Sequence, residues 1–398
     1  AGAPAGAPAG GADDCAAPMA GWERVLAETR CGAAPVAVEC RARGRDGATG
    51  RGVAARAMTL RAMCRRPPCA AASLDPAPER DRGRRRRGSS GSLKRESRSV
   101  PHAARDADLP SPLPPPRGTF RSKPHAAVME EARSLVASGA LELNLIAEDT
   151  NQYGSDRRDG TSLARLLAEL ATIDGLKWIR LLYCYPSYFD DALIEEIASN
   201  DKVCKYIDIP LQHVHNLTLL AMNRPPRAHT DTLLAKLRAR VPGLALRTTF
   251  ICGFPGETAA AHRELVDFCA DFRFERMGAF AYSAEDGTPA ATMPEQVDGD
   301  TRAARRDELI SLQQRVGAAF AEARVGETID VLVDGFDADG QLVGRTQWDA
   351  PDVDPLVFIS DPDPESGAPP AAPGTMVRCV VTSASLFDLE ATPVSGPI

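Results

Sequence analysis

WIRLLYCYPSYFDDALIEEIASNDKVCKYIDIPLQH, Trp178–His213, contains one full turn of a repeating pattern. A short apolar run, Trp178–Cys184, reads as a strand. A helix follows over Asp190–Ser199, and a second apolar run, Tyr206–Leu211, reads as the next strand. Strands that are apolar throughout, each trailed by a helix, are the mark of parallel βα units. Outward from this unit the alternation continues in both directions. Toward the carboxyl end come helices within Asn216–Arg240, the strand Leu244–Gly253, a helix over Ala259–Phe272, the strand Arg276–Ser283 and a long helix from about Asp300 to Arg324. Toward the amino end lie a helix over Ser162–Ala171 and the strand Leu141–Ala147. Before them a helix opens at His125, with Val128, Ala132, Leu135 and Val136 near one face and Gly139 as its stop. Five strands are countable, and the first helix has no strand before it. The reading is therefore an α/β fold, a partial parallel (β/α) barrel, with a strand and its loop missing ahead of Arg117.

After Gly326 the period changes. Ile329, Val331 and Val333 alternate, an Asp339–Gly340 turn follows, and further short strands run to the carboxyl end. This reads as a small all-β barrel of OB-like type. Residues 1–116 have no sustained period. RGRRRRGSSGS, Arg82–Ser92, is a charge run followed by a flexible stretch. The expected organisation is 1–116 low-complexity, basic and disordered or mispredicted, 117–324 the parallel core, and 325–396 the β module.

Charge divides along the same line. Residues 1–124 hold 23 Lys and Arg against 12 Asp and Glu, +11, whereas the remainder holds 24 against 42, −18. A basic, acid-poor leader is the composition of an organelle transit peptide, a nucleic-acid arm or a wrong exon. No apolar run reaches the roughly 18 residues of a membrane span, so no membrane partner is expected. The ten cysteines are scattered along a chain with no secretory signal and read as reduced thiols.

In parallel α/β folds ligands sit at the carboxyl ends of the strands. Those ends read EDTNQYG (Glu148–Gly154), YPS (Tyr185–Ser187), LQH (Leu211–His213), GFPGET (Gly253–Thr258) and SAEDGTPA (Ser283–Ala290). Gly253 and Gly256 would let backbone amides approach a ligand at a helix amino terminus, or simply form a βα loop. Arg247, inside an apolar strand, needs a carboxylate, either Glu257 or one from a ligand. Glu148 and Asp149 form an acidic pair. Gln212 and His213 either touch a ligand or serve the fold.

These same stretches carry a resemblance. LNLIAEDTNQYG, LLYCYPSYFDDALIEEIASNDKVCKYIDIPLQH, LLAMNRP, LRTTFICGFPGET and FAYSAEDGTPAATM resemble the radical SAM core of the RimO methylthiotransferases. VGRTQWDAPDVDPLVFI resembles their TRAM domain. The resemblance covers about Arg117–Val394. It implies an enzyme that adds a methylthio group to the β-carbon of an aspartate in small-subunit ribosomal protein S-twelve. The cofactors implied are S-adenosylmethionine and two [4Fe–4S] clusters, with electrons from a flavodoxin- or ferredoxin-type donor. An unactivated C–H offers no acidic proton to a side-chain base, so cofactor chemistry must supply the reactive species. The resemblance places Glu148, Asp149, Gln152, Gln212, His213, Arg247, Thr249, Phe254, Gly256 and Glu257 near the cofactor. It implies a bacterial cytoplasmic setting, or an organelle if the leader is a transit peptide.

The sequence departs from the family where the first cluster belongs. A CxxxCxxC motif is expected just before Arg117–Gly118, since three thiolates leave one iron open for the cofactor. The stretch there, HAARDADLPSPLPPPRG, has no cysteine. No metal ligand is assigned, and the chain as written is expected to bind neither cluster and not to catalyse. Two other readings stand beside the first: a MiaB-like tRNA adenosine methylthiotransferase, and a non-catalytic relic of the barrel. The aspartates of the β module, Asp330, Asp334, Asp337, Asp339, Asp349, Asp352 and Asp354, suit a basic protein partner better than RNA.

Overall fold

The computed structural model describes residues 57–61, 120–362, 365, 367–368 and 370–395. Six strands form one parallel sheet in simple sequence order: β1 (Ala57–Arg61), β2 (Glu142–Ile146), β3 (Trp178–Leu181), β4 (Val203–Asp208), β5 (Ala245–Cys252) and β6 (Arg276–Ala281). A sheet that adds each strand beside the last, with a helix between, is an open segment of a (β/α) barrel. Helices α1 (His125–Ala137), α2 (Leu163–Ala171), α3 (Asp191–Ser199), α4 (Asn216–Ala221), α5 (Arg227–Arg240) and α6 (Ala259–Phe272) fill the connections, and α7 (Gly299–Glu322) follows β6.

The first strand is a correction. β1 lies at the sheet edge and pairs in parallel with β2 over five residues, from Ala57↔Glu142 to Arg61↔Ile146. The expected missing strand is thus supplied from about eighty residues upstream of β2. AMTLR is too short, and too deeply set in Arg, Ala and Pro, to show a period. The remaining expectation for residues 1–116, disorder or misprediction, lies outside the described residues.

One face of each strand explains the helices. Leu143, Leu145, Ile179, Leu181, Ile207, Leu246 and Phe250 are buried in one apolar cluster with the helix faces. In α2 the buried residues are Leu163, Leu166, Leu167 and Leu170, three and four apart. Each such leucine contributes roughly 1.5–3 kcal/mol. Side-chain caps start the helices where the strand-to-helix turns end. Ser162 accepts from the amide of Arg165, Asp190 from Leu193, Thr258 from Ala261 and Asp298 from Thr301.

The other face is polar, and the β module covers its amino end. Strands β7 (Thr328–Phe336), β8 (Leu342–Arg345), β9 (Val357–Ile359), β10 (Met376–Ser385) and β11 (Asp388–Pro393) close into a five-stranded barrel. Its loop after β8 enters the sheet. Glu142, fully buried, pairs with Arg180 at 2.6 Å and with Arg345 of the β module at 2.9 Å. Arg180 also donates to the carbonyls of Gln347 and Thr346. Arg276 pairs with Asp349, and the Tyr206 hydroxyl donates to Asp354 at 2.7 Å. The acidic face expected of this module is therefore largely consumed. Asp330, Asp334, Asp349 and Asp354 each pair with an arginine, Arg378, Arg345, Arg276 and Arg247 in turn.

Candidate functional site at the carboxyl ends of the strands

The loops after β2 and β3 are stitched together. The Asn151 side chain donates to the Tyr185 carbonyl and accepts from the Tyr185 amide, both at 2.8 Å. The Thr150 amide donates to the carbonyl of Tyr183 at 3.0 Å. Tyr183 itself has φ +57°, a left-handed conformation that costs a non-glycine residue about 1 kcal/mol or more. It ends β3 three residues before the sequence pattern does. Gln212 is left-handed too, φ +71°, and bridges to β5: its amide donates to the Thr249 carbonyl and its carbonyl accepts from Ile251. Strain of this kind in two loops at one end of a sheet is typical of ligand sites.

Between these loops lies Arg224, a residue that the sequence pattern does not single out. Its guanidinium stands 5.1 Å from the Tyr185 ring centroid, and its hydrogen bond to the Pro210 carbonyl is long at 3.4 Å. Burial lowers its pKa from the ordinary arginine value, against the pull of Tyr185 and Asp149. No described ion pair satisfies it with a carboxylate. Asp149, nearby, has its carboxyl pushed up to about 6 by burial, opposed by Arg224 and reinforced by Glu148. A desolvated cation with a raised carboxyl within its electrostatic reach suits the carboxylate and ammonium ends of an amino acid. The only cue in sequence is its place after the exposed helix of LLAMNRP.

The remaining candidates separate into two groups. Glu148 is exposed, while Gln152 and Thr249 are half-buried. Gly256 has φ +81°, and its amide donates to the Glu295 carbonyl at 3.0 Å, so the amide expected to approach a ligand is engaged within the fold. Phe254 packs edge-on against Tyr282 at 5.2 Å. Glu257 and His213, by contrast, serve the scaffold. The Glu257 carboxylate accepts the Gly253 amide at 2.6 Å, takes Arg305 at 3.1 Å and faces His213 at 3.7 Å. Burial raises its pKa, but these partners outweigh it and hold the carboxyl below its ordinary value. His213 accepts the His215 amide on Nδ1. Arg247 is also not where its strand position suggested. Its carboxylates are Asp208 at 3.3 Å and Asp354 at 3.2 Å, rather than Glu257.

The described residues do not fit an iron–sulfur cluster. Cys184, Cys204, Cys252, Cys269 and Cys379 are separate and buried. Burial keeps their thiols protonated, with Cys204, Cys252 and Cys379 pushed up to about 12. Among the described residues no group of three or more His, Cys, Asp or Glu could hold a metal ion. Cys15, Cys31, Cys40, Cys64 and Cys69 lie outside the described residues.

Known proteins share both modules. The model of the radical SAM superfamily matches residues 99–269, and that of the TRAM domain matches 325–394. The ribosomal protein uS12 methylthiotransferase RimO of Desulforudis audaxviator is 43% identical over 284 residues, 71% of this chain and 62% of its own. That of Geotalea uraniireducens is 44% identical over 280 residues, 70% of this chain and 61% of its own. Over both modules the chain is similar to the RimO methylthiotransferases. It spans about three fifths of the length of these relatives. Among solved structures, the radical SAM methyltransferase TsrM of Kitasatospora setae aligns at a TM-score of 0.37. It is 22% identical, over 43% of this chain and 33% of its own. Among the described residues no helix is long and apolar enough to cross a membrane.

Proposed function

We propose that this chain is the sheet-and-TRAM part of a RimO-type radical SAM methylthiotransferase that modifies an aspartate of small-subunit ribosomal protein S-twelve. The observation that carries the reading is collinear identity of 43–44% with relatives of that name over about seven tenths of the chain. The geometry supports it with a site suited to a zwitterion. Arg224 takes the carboxylate of S-adenosylmethionine, and Asp149 its ammonium group. Gly256, Thr249, Gln212, Gln152 and Phe254 form the surrounding wall. Glu257 and His213 hold the β5 loop rather than touch the ligand, and Glu148 stands at the rim.

When bound, S-adenosylmethionine supplies the radical chemistry that an unactivated C–H demands. The chain's own part is to fix the ligand's amino-acid end, orient it and exclude water. Reducing electrons would come from a flavodoxin- or ferredoxin-type donor in the bacterial cytoplasm.

Three measurements test this. Isothermal titration of the chain with S-adenosylmethionine should show saturable binding that Arg224→Ala weakens at least ~10-fold, the effect of losing a charge-assisted hydrogen bond. Absence of binding, or an unchanged variant, removes the site. Mass spectrometry of S-twelve from cells with and without the gene should differ by one methylthio group. Loss of a methylthio group from tRNA instead would favour the MiaB-like reading. Iron analysis after anaerobic reconstitution separates catalysis from a relic: a full [4Fe–4S] complement requires ligands outside the described residues.

A further inference from the structure

We infer that Asp354 of the TRAM barrel is a positioning residue for the opposite, ligand-facing end of the parallel sheet. Asp208 and Arg247 stand opposite one another in the β4–β5 register. Arg247 links two carboxylates, Asp208 at 3.3 Å and Asp354 at 3.2 Å. Asp354 is itself fixed, accepting from the Tyr206 hydroxyl at 2.7 Å and the Ala350 amide at 2.9 Å. The TRAM loop thus sets where the Arg247 guanidinium lies. Arg247 in turn sets Asp208, a carboxyl so buried that the guanidinium is its main source of charge stabilisation.

Asp208 is the hinge of the path. Its carbonyl accepts the amide of Cys184 at 2.8 Å. That bond fixes the chain one residue past Tyr183, whose φ of +57° is otherwise unfavourable. From Tyr183 the chain runs directly to Tyr185, which is paired with Asn151 and lies against Arg224. A continuous series of polar contacts therefore runs from Asp354 through Arg247, Asp208 and Cys184 to the loop that carries the Arg224 platform. Asp349 supplies the internal control. Its side chain is 4% exposed against 3% for Asp354, and it pairs with Arg276 on β6, away from the β3 loop.

Hydrogen–deuterium exchange on the full chain tests the path without any ligand. Asp354→Asn should accelerate exchange of the amides in residues 183–188 by ~10-fold, the scale of coupling along a polar network. Asp349→Asn should leave that segment at the wild-type rate. Asp208→Asn should accelerate it as Asp354→Asn does, and the double variant should add nothing further. If Asp354→Asn fails to fold, Asp208→Asn together with the Asp349→Asn control still decides. Wild-type rates in residues 183–188, or equal acceleration by Asp354→Asn and Asp349→Asn, overturn the inference. The consequence for binding rests on the ligand reading above: Asp354→Asn should weaken S-adenosylmethionine ~10-fold and Asp349→Asn should not. A wild-type chain that binds no S-adenosylmethionine removes that reading, while the exchange rates still decide the path.

Discussion

Replacing Glu142 by glutamine tests how firmly the two modules are joined. The Glu142 carboxylate is fully buried and holds two buried guanidinium groups, Arg180 at 2.6 Å and Arg345 at 2.9 Å. Both keep other acceptors: Arg180 the Thr346 and Gln347 carbonyls, Arg345 the Asp334 carboxylate at 2.6 and 2.8 Å. What Glu142→Gln removes is the charge between them. Taking one partner from a buried ion pair costs about 3–5 kcal/mol. At roughly 2–4 °C per kcal/mol for modules of this size, the melting temperature should fall by about 6–20 °C. The loss should depend on pH. Burial raises the Glu142 pKa, but Arg345 and Arg180 overcome it and leave the carboxyl below its ordinary 4.5. Its stabilisation is then complete above 4.5 and disappears as pH falls through the lower folded value, so wild type and variant should converge in acid. Scanning calorimetry at several pH values measures both effects. A loss under 1 kcal/mol at neutral pH, or a difference that grows in acid, refutes the reasoning. The triple replacement Glu142→Leu, Arg180→Met and Arg345→Met should recover much of the loss, since well-packed apolar groups replace a buried ionic cluster at little cost.

Other expectations follow from single positions. Asp149→Asn should gain on wild type as pH rises from about 4 to 6, because a carboxyl raised to about 6 binds its proton more tightly in the folded state; urea titrations across that range measure it. Gly253→Ala should cost about 1–3 kcal/mol, since φ is +75° and the new methyl would lie 2.3 Å from Arg302 Cγ. Gly256→Ala, left-handed but with 3.6 Å of clearance, should cost only ~1 kcal/mol, and thermal melts rank the two. Gly317→Ala, whose methyl would meet the Phe387 ring at 2.3 Å, should loosen α7 from the TRAM barrel by about 1–3 kcal/mol, read by faster proteolysis of the linker after Glu322.

The alternating strands and helices were legible because burial writes itself into sequence at periods of two and 3.6. Ends were less so. β3 stops at Leu181 because Tyr183 turns left-handed, and β4 lies at Val203–Asp208 rather than Tyr206–Leu211. Pro210, with no amide to give, cannot sit inside a ladder. β1 escaped notice because five residues without a neighbouring pattern carry too little signal. The site was half legible. Strand-end loops could be named from chain order, but the direction of a side chain could not. Glu257 turns toward Arg305, and Arg247 toward Asp354, 107 residues away. Arg224 and Asp208 were missed because their meaning lies in what surrounds them. The aspartates of the TRAM segment read as a charged surface in sequence because their arginine partners stand on distant strands.

The TRAM loop also makes three separate strands answer to one short segment. Arg180 of β3, Arg247 of β5 and Arg276 of β6 are all engaged by its acceptors. A shift of that segment is therefore felt on all three strands together, and the sheet registers it as a whole rather than strand by strand.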